Sequence, residues 1–140
     1  MNGIGNLKYV GIDSNLFIYN LEQSPQFVKY TDIIFNKLSL NKLKAVTSII
    51  SLTEILSYPE TAKVEVQIIT DFFNTPATNI VDVDRVIAVE AARIRRKYGF
   101  RLPDSIQLAT ALHVKAKAFI TNDDRLKKFK ELKILLLKSI

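Results

Sequence analysis

The chain has no cysteine and no tryptophan, a single histidine, and only four glycines and four prolines in 140 residues. Without cysteine there are no disulfides, no thiolate metal sites and no cysteine nucleophile. The lone His113 excludes any centre that needs two imidazoles, including two-histidine zinc sites. The glycines (Gly3, Gly5, Gly11 and Gly99) form neither a P-loop nor a G-x-G-x-x-G after a strand. No apolar run approaches the roughly 20 residues of a membrane span. Residues 1–8 carry neither the apolar segment nor the cleavage signal of a secretory leader. The expectation is a soluble cytoplasmic protein whose chemistry runs on carboxylates, hydroxyls, amides and basic groups.

What is present suits one domain over residues 1–140, with 48% hydrophobic residues to build its core. Twenty Lys and Arg against fourteen Asp and Glu leave a net charge of +6, a balance that favours a polyanionic partner. The pattern along the chain alternates. Apolar segments at 8–12, 44–48, 79–83, 118–121 and 134–137 read as strands. Between them, Ser24-Pro25 opens a helix to about Leu38, and Ser51-Leu52-Thr53-Glu54 has the spacing of a capping box for a helix that Pro59 ends. Residues 61–73 are amphipathic, with Val64, Ile68 and Phe72 on one face. Asp84 caps a helix that stops at Gly99, and Pro103-Asp104 starts another with Ile106, Ala109 and Leu112 on its stripe. Strands alternating with helices predict βαβ units: a three-layer α/β/α domain around a parallel sheet of about five strands.

In such sheets ligands bind beyond the carboxyl ends of the strands. Asp13 and Asp123 end strands there, and Glu54 and Asp104 open helices on or near that side. Each acid alone also has a plain structural reading. Glu54 completes the capping box, Asp104 answers a helix dipole, and Asp13 and Asp123 are loop acids beside Ser14, Asn15 and Asn122. Together they form an oxygen-only set suited to Mg²⁺ or Mn²⁺. Such an ion activates water and steadies a phosphoryl oxygen. Asp84 is read as a helix cap and His113 as structural, and Asp123 is preferred over its neighbour Asp124 as the ligand.

Four segments in order resemble the PIN-domain family, in particular its VapC-type toxin ribonucleases. They are Gly11-Ile12-Asp13-Ser14-Asn15, Ser51-Leu52-Thr53-Glu54-Ile55-Leu56, Leu102-Pro103-Asp104-Ser105-Ile106-Gln107-Leu108-Ala109-Thr110-Ala111, and Phe119-Ile120-Thr121-Asn122-Asp123. The resemblance covers nearly the whole chain. It implies a PIN-like fold, with Asp13, Glu54, Asp104 and Asp123 as catalytic, metal-binding acids and Asn15 and Thr121 as supporting polar residues. It further implies Mg²⁺- or Mn²⁺-dependent cleavage of an RNA substrate, a cognate antitoxin protein and a homodimer. The alternative is a non-catalytic PIN-like domain that binds RNA or protein. Receiver and haloacid-dehalogenase readings fit poorly, because Asn15 stands where the latter needs a second acid.

Two basic runs flank the acids. Arg93, Arg95, Arg96, Lys97 and Arg101 lead into Asp104, and Arg125, Lys127, Lys128, Lys130 and Lys133 follow Asp123. As a charged surface they are solvated faces; beside an acidic site they hold phosphates that the acids repel. Arg93, Arg95, Arg96, Arg101, Arg125 and Lys127 are the expected RNA contacts. The two early amphipathic helices also carry more apolar residues than one buried stripe uses (Ile33, Ile34, Phe35, Val66, Ile69 and Phe73), which suits a partner surface.

Overall fold

A computed structural model describes residues 3–140; Met1 and Asn2, which begin the segment read as free of a leader, lie outside the described residues. Five strands form one wholly parallel sheet: β1 (Tyr9–Ile12), β2 (Lys44–Ser48), β3 (Thr78–Val81), β4 (Ala118–Thr121) and β5 (Lys133–Leu136), in the order β3-β2-β1-β4-β5. Successive strands add on one side of β1 up to β3, and the chain then crosses to the other side for β4 and β5. The strand order therefore reverses between β1 and β4, the position where open α/β sheets leave a crevice for a ligand.

Side chains alternate across the sheet. Val10, Ile12, Ala45, Ala118, Ile120 and Leu135 face one core. That core is covered by α1 (Ser14–Glu22), α2 (Val28–Ser39), α3 (Ile50–Leu56) and α4 (Glu65–Phe73). Val46, Phe119 and partly buried Ile134 face the other core, under α5 (Arg85–Tyr98) and α6 (Leu102–His113). The expected three-layer architecture is present. No helix among the described residues is long and apolar enough to cross a membrane.

Four local features differ from expectation. Residues 14–22 form α1, where only a polar turn was expected after β1; Asp13 caps it by accepting from the Ser14 N–H at 2.8 Å. The next helix starts at Val28 rather than at Pro25, entered through a turn closed by the Val28 N–H on the Ser24 carbonyl. The Ser51–Glu54 capping box does not form, because Ile49 is the N-cap and Ser51 lies inside α3. The segment from 61 to 73 divides into a 3-10 turn (Pro59–Val64) and α4; Ile68 and Phe72 are buried as expected, whereas Val64 is exposed. Asp84 and Gly99 do cap α5, Asp84 by accepting from the Ile87 N–H and Gly99 in the left-handed conformation at φ 74°.

Gly11 sits at the centre of β1, where a Cβ would stand 2.6 Å from Phe119 Cδ1 and 3.0 Å from the Ala111 Cβ. Phe119 is fully buried and cannot swing aside. Gly11→Ala is expected to lower stability by about 1–3 kcal/mol through overpacking, measured by urea denaturation; a neutral result would mean that α6 is free to move off the sheet.

Candidate active site

The crevice between β1 and β4 gathers carboxylates. Asp13, directly after β1, is 4% exposed, and Asp104, in the first turn of α6, is 5% exposed. Each Asp13 oxygen has a donor: Oδ1 takes the Ser14 N–H, and Oδ2 takes the Thr121 hydroxyl at 2.7 Å. The same Thr121 Oγ1 accepts the Asp123 N–H at 3.0 Å, so one hydroxyl ties the ends of β1 and β4 together. Glu54, half-buried on α3, joins from the side: its Oε1 accepts the Ser14 hydroxyl at 2.9 Å. Ser14 thus bridges two of the acids, a role that its sequence position beside Asp13 does not announce.

The electrostatics match this crowding. Burial pushes the Asp13 carboxyl up to about 7; the Thr121 and Ser14 hydrogen bonds oppose that rise, and the charges of Asp104 and Glu54 add to it. Glu54 is raised too, first by burial and then by Asp104, against the Ser14 hydrogen bond and the Arg101 charge. Burial of like charges favours protonation or a bound cation. Asp123 goes the other way: Arg125 grips it through Nε at 2.9 Å and through Nη2, holding its carboxyl below the usual range. Arg101 Nε similarly reaches Asp104 Oδ2 at 3.1 Å. Asp124, the neighbour of Asp123, is exposed at the start of a 3-10 turn.

Among the described residues no three carboxylates or imidazoles stand at the spacing of a ready metal shell. The donor chemistry nevertheless fits a hard divalent cation. Every charged group in the crevice able to donate electrons is an oxygen. In addition, Asn15 Oδ1, two residues from Asp13, is buried without a hydrogen-bond partner. An orphaned acceptor of that kind, in the first turn of the helix that Asp13 caps, is satisfied by a cation or a water.

Sequence comparison agrees with the topology. The family model described as the PIN domain matches residues 10–132, which runs from within β1 to the residue before β5 and includes all four acids. The chain belongs to the PIN domain family. Among curated proteins, none matches it with significance. Solved structures do. A chain of a toxin-antitoxin complex from Klebsiella pneumoniae superposes with a TM-score of 0.69 at 20% identity, covering 94% of this chain and 99% of that one. A chain of VapBC2 from Rickettsia felis, solved with a DNA fragment from its promoter, gives 0.69 at 17% identity over 91% and 98%. A chain of DNA-bound VapBC from Salmonella typhimurium gives 0.67 at 17% identity over 94% and 98%. At such identities these likenesses establish the fold.

Within this PIN domain the basic residues separate. Arg101 and Arg125 line a cleft of about 260 Å³ with Asp104, Phe100 and Lys128. Arg95, Arg96 and Lys127 are exposed. Arg93 is engaged elsewhere, with Nη2 at 2.6 Å from both Glu90 and Glu131. Lys133 does not follow Asp123 in space: it starts β5, paired with the first residue of β4, at the opposite edge of the sheet. Of the apolar surplus, Ile34 is core and Phe35 packs edge-on against Phe17, while Val66 and Phe73 are more than half exposed.

Beneath the acids lies a buried polar network with no counterpart in the sequence reading. Thr47 Oγ1 donates to the Ile12 carbonyl and shares a hydrogen bond with Ser51 Oγ, which accepts from Gln107 Nε2 at 2.6 Å. Gln107 Oε1 in turn takes the Ser48 N–H. It joins β1, β2, α3 and α6, the elements that carry Asp13, Glu54 and Asp104. The available signal was polar residues on the apolar face of α6, whose buried residues include Gln107 and Thr110 rather than the Ile106 and Leu112 of the expected stripe. Gln107→Leu strands the buried Ser48 N–H, so a loss of about 1–3 kcal/mol is expected; an unchanged denaturation midpoint would mean that another acceptor replaces it.

Proposed function

We propose that this PIN domain is a Mg²⁺- or Mn²⁺-dependent endoribonuclease that acts as the toxin of a toxin–antitoxin pair. The observation that carries the reading is the Asp13–Glu54–Asp104 crowd at the strand-order reversal, with Asp13 pushed up to about 7. A chain has little structural reason to bury like charges side by side; a catalyst that must bind a cation does.

Asp13, Asp104 and Glu54, with Asp123 beside them, would hold the ion, and Asn15 Oδ1 would complete the oxygen set. When bound, Mg²⁺ or Mn²⁺ makes water a better nucleophile near neutral pH and offsets charge on the phosphate. The residues do the rest. Thr121 and Ser14 fix the Asp13 carboxylate so that both oxygens point at defined positions. Glu54, its Oε1 held by the Ser14 hydroxyl, would accept the proton of the attacking water; as the water oxygen bonds to phosphorus, the P–O bond to the leaving ribose oxygen would break, and that oxygen would take a proton from solvent. Arg101 and Arg125, exposed beyond their carboxylate partners, move onto the phosphate oxygens, with Arg95, Arg96 and Lys127 holding the RNA further out. Arg93 remains in its pair with Glu90 and Glu131.

The antitoxin partner is supported by the neighbours, which are chains of toxin–antitoxin complexes. It is also supported by an apolar groove of about 290 Å³ lined by Ile18, Leu21, Tyr58 and Val64. A homodimer and a cytoplasmic setting complete the proposal. The second reading, a non-catalytic PIN domain, is favoured by one feature: Arg101 and Arg125 already engage two of the acids. Incubating labelled RNA with the protein in Mn²⁺ or in EDTA separates the two. Cleavage in Mn²⁺ alone is expected; binding without cleavage under both conditions would leave the non-catalytic reading.

A further inference from the structure

The amino-terminal edge of the sheet, opposite the acids, carries a row of lysines that the nuclease chemistry does not use. Lys44 and Lys133 open β2 and β5, while Lys8 and Lys117 immediately precede β1 and β4. Four neighbouring strands, β2-β1-β4-β5, therefore each begin at a lysine or directly after one. By register and strand alternation Lys44 and Lys117 lie on the α5/α6 side of this edge and Lys8 and Lys133 on the side of α1 and α2, so the lysines line both sides of it. Lys42 and Lys115 stand two residues before Lys44 and Lys117 and add to it. All six are exposed, and among the described residues none is in an ion pair. The one acid in these strand approaches, Glu131, is bound by Arg93 and Tyr98.

The edge also has shape. A cleft of about 820 Å³ is lined by Lys8, Tyr9, Lys42 and Lys44 together with Asn41 and Asn79, and no acid is among its lining residues. The register places Tyr9 level with Lys44 on one side and, one residue before the Val10–Ala118 pair, level with Lys117 on the other. Residues at one level of a parallel sheet share a face, so Tyr9, partly buried against the core under α5 and α6, lies between Lys44 and Lys117 along the edge. Unpaired cations with an interleaved aromatic and amide donors form the chemistry that takes a single-stranded nucleic acid: phosphates on the lysines, a base against the ring.

We infer that this edge is a second binding face for the phosphodiester backbone of a nucleic acid strand, separate from the catalytic crevice. Lys8 and Asp13 are five residues apart along an extended strand, roughly 16 Å, so no single phosphate touches both. The face holds chain outside the segment being cut; that RNA is its ligand rests on the proposed nuclease activity. The rival account is local: lysines at this edge answer the carboxyl ends of the helices that lead into the strands. That account predicts a stability loss and no effect on RNA.

The test is fluorescence anisotropy with a labelled 20-nucleotide oligouridylate in EDTA, from 50 to 300 mM KCl. It compares wild type, K8Q/K44Q/K117Q, and a control triple at exposed lysines elsewhere, K29Q/K63Q/K138Q. The edge triple is expected to bind at least fivefold more weakly than the control, with the slope of log K against log salt shallower by about 2 and Tm unchanged. An oligothymidylate of the same length should behave alike, because lysines read phosphates; a loss confined to oligouridylate would contradict a backbone site. Equal loss in both triples, or a Tm drop with unchanged binding, overturns the inference. Its fate is separable from that of the nuclease: edge-dependent binding without cleavage in Mn²⁺ sinks the enzyme alone, and cleavage with an indifferent edge sinks the second face alone.

Discussion

Asp13→Asn and Asp104→Asn should each reduce RNA cleavage by three orders of magnitude or more while leaving the fold intact. Both carboxylates are about 95% buried at the strand-order reversal, and both are assigned to the cation. The amide keeps the shape but removes the charge that holds a divalent ion. If the proposed assignment is right, the loss falls on kcat with little change in KM, because the charge acts on the reacting phosphate rather than on RNA held further out. About 4 kcal/mol of lost transition-state stabilisation corresponds to that thousandfold effect. Either variant cutting RNA at near the wild-type rate would remove that acid from the centre. Circular dichroism and the denaturation midpoint guard against simple unfolding.

The second large effect is on stability, and its sign depends on pH and on the cation. The folded-state pKa of Asp13, about 7, lies above its ordinary value of 3.8, so the native state holds this proton more tightly than the unfolded chain does. In EDTA, the stability linked to Asp13 is therefore greatest below about pH 4, falls as pH rises towards 7, and is flat above it. The full span is on the order of 4 kcal/mol at about 1.4 kcal/mol per pH unit, and Glu54, also raised, adds in the same direction. Because other carboxylates titrate in the acid range, the clean quantity is the difference between Asp13→Asn and wild type. The variant should gain on wild type from pH 5 to pH 8 and melt higher at pH 8. Mn²⁺ reverses the order. An ion that binds only the folded wild type stabilises it by about 2.7 kcal/mol at a hundredfold excess over Kd, roughly 10 °C for a domain of this size. Asp13→Asn should lose most of that shift. A wild-type melt unmoved by millimolar Mn²⁺, together with a less stable variant in EDTA, would mean that the acids do not act as one cluster.

Much of this was legible in the chain because parallel strands in an α/β layer are buried on both faces and read as short apolar runs. Lys44–Ser48 and Ala118–Thr121 are strands over those very residues, and Asp84 and Gly99 do at the ends of α5 what their chemistry suggests. Asp13, Asp123 and Asp104 are visible as residues after strands and at a helix start, whereas Glu54, expected to open a helix, lies in the second half of α3. The errors have a common physical origin: short polar side chains serve either the local backbone or a distant partner, and spacing alone does not say which. Ser51 has the sequence context of a cap but turns to Thr47 and Gln107. Ser14 was grouped with loop residues, whereas it starts α1 and bridges Asp13 to Glu54. Lys133 follows Asp123 closely in sequence, yet the chain returns to the opposite edge of the sheet before β5 begins. The pairing of Arg125 with Asp123 and of Arg101 with Asp104 lay within three residues in each case, but only the fold aims those side chains at the crevice.

Anomalous diffraction from crystals grown at pH 8 in Mn²⁺, comparing wild type with Asp13→Asn, shows directly whether the acids hold one cation. A single strong manganese peak is expected in the wild-type crevice, bound by Asp13 and at least one of Asp104, Glu54 and Asp123, with no peak there in the variant. Manganese absent from the crevice, or bound equally well without the Asp13 carboxylate, would contradict that assignment.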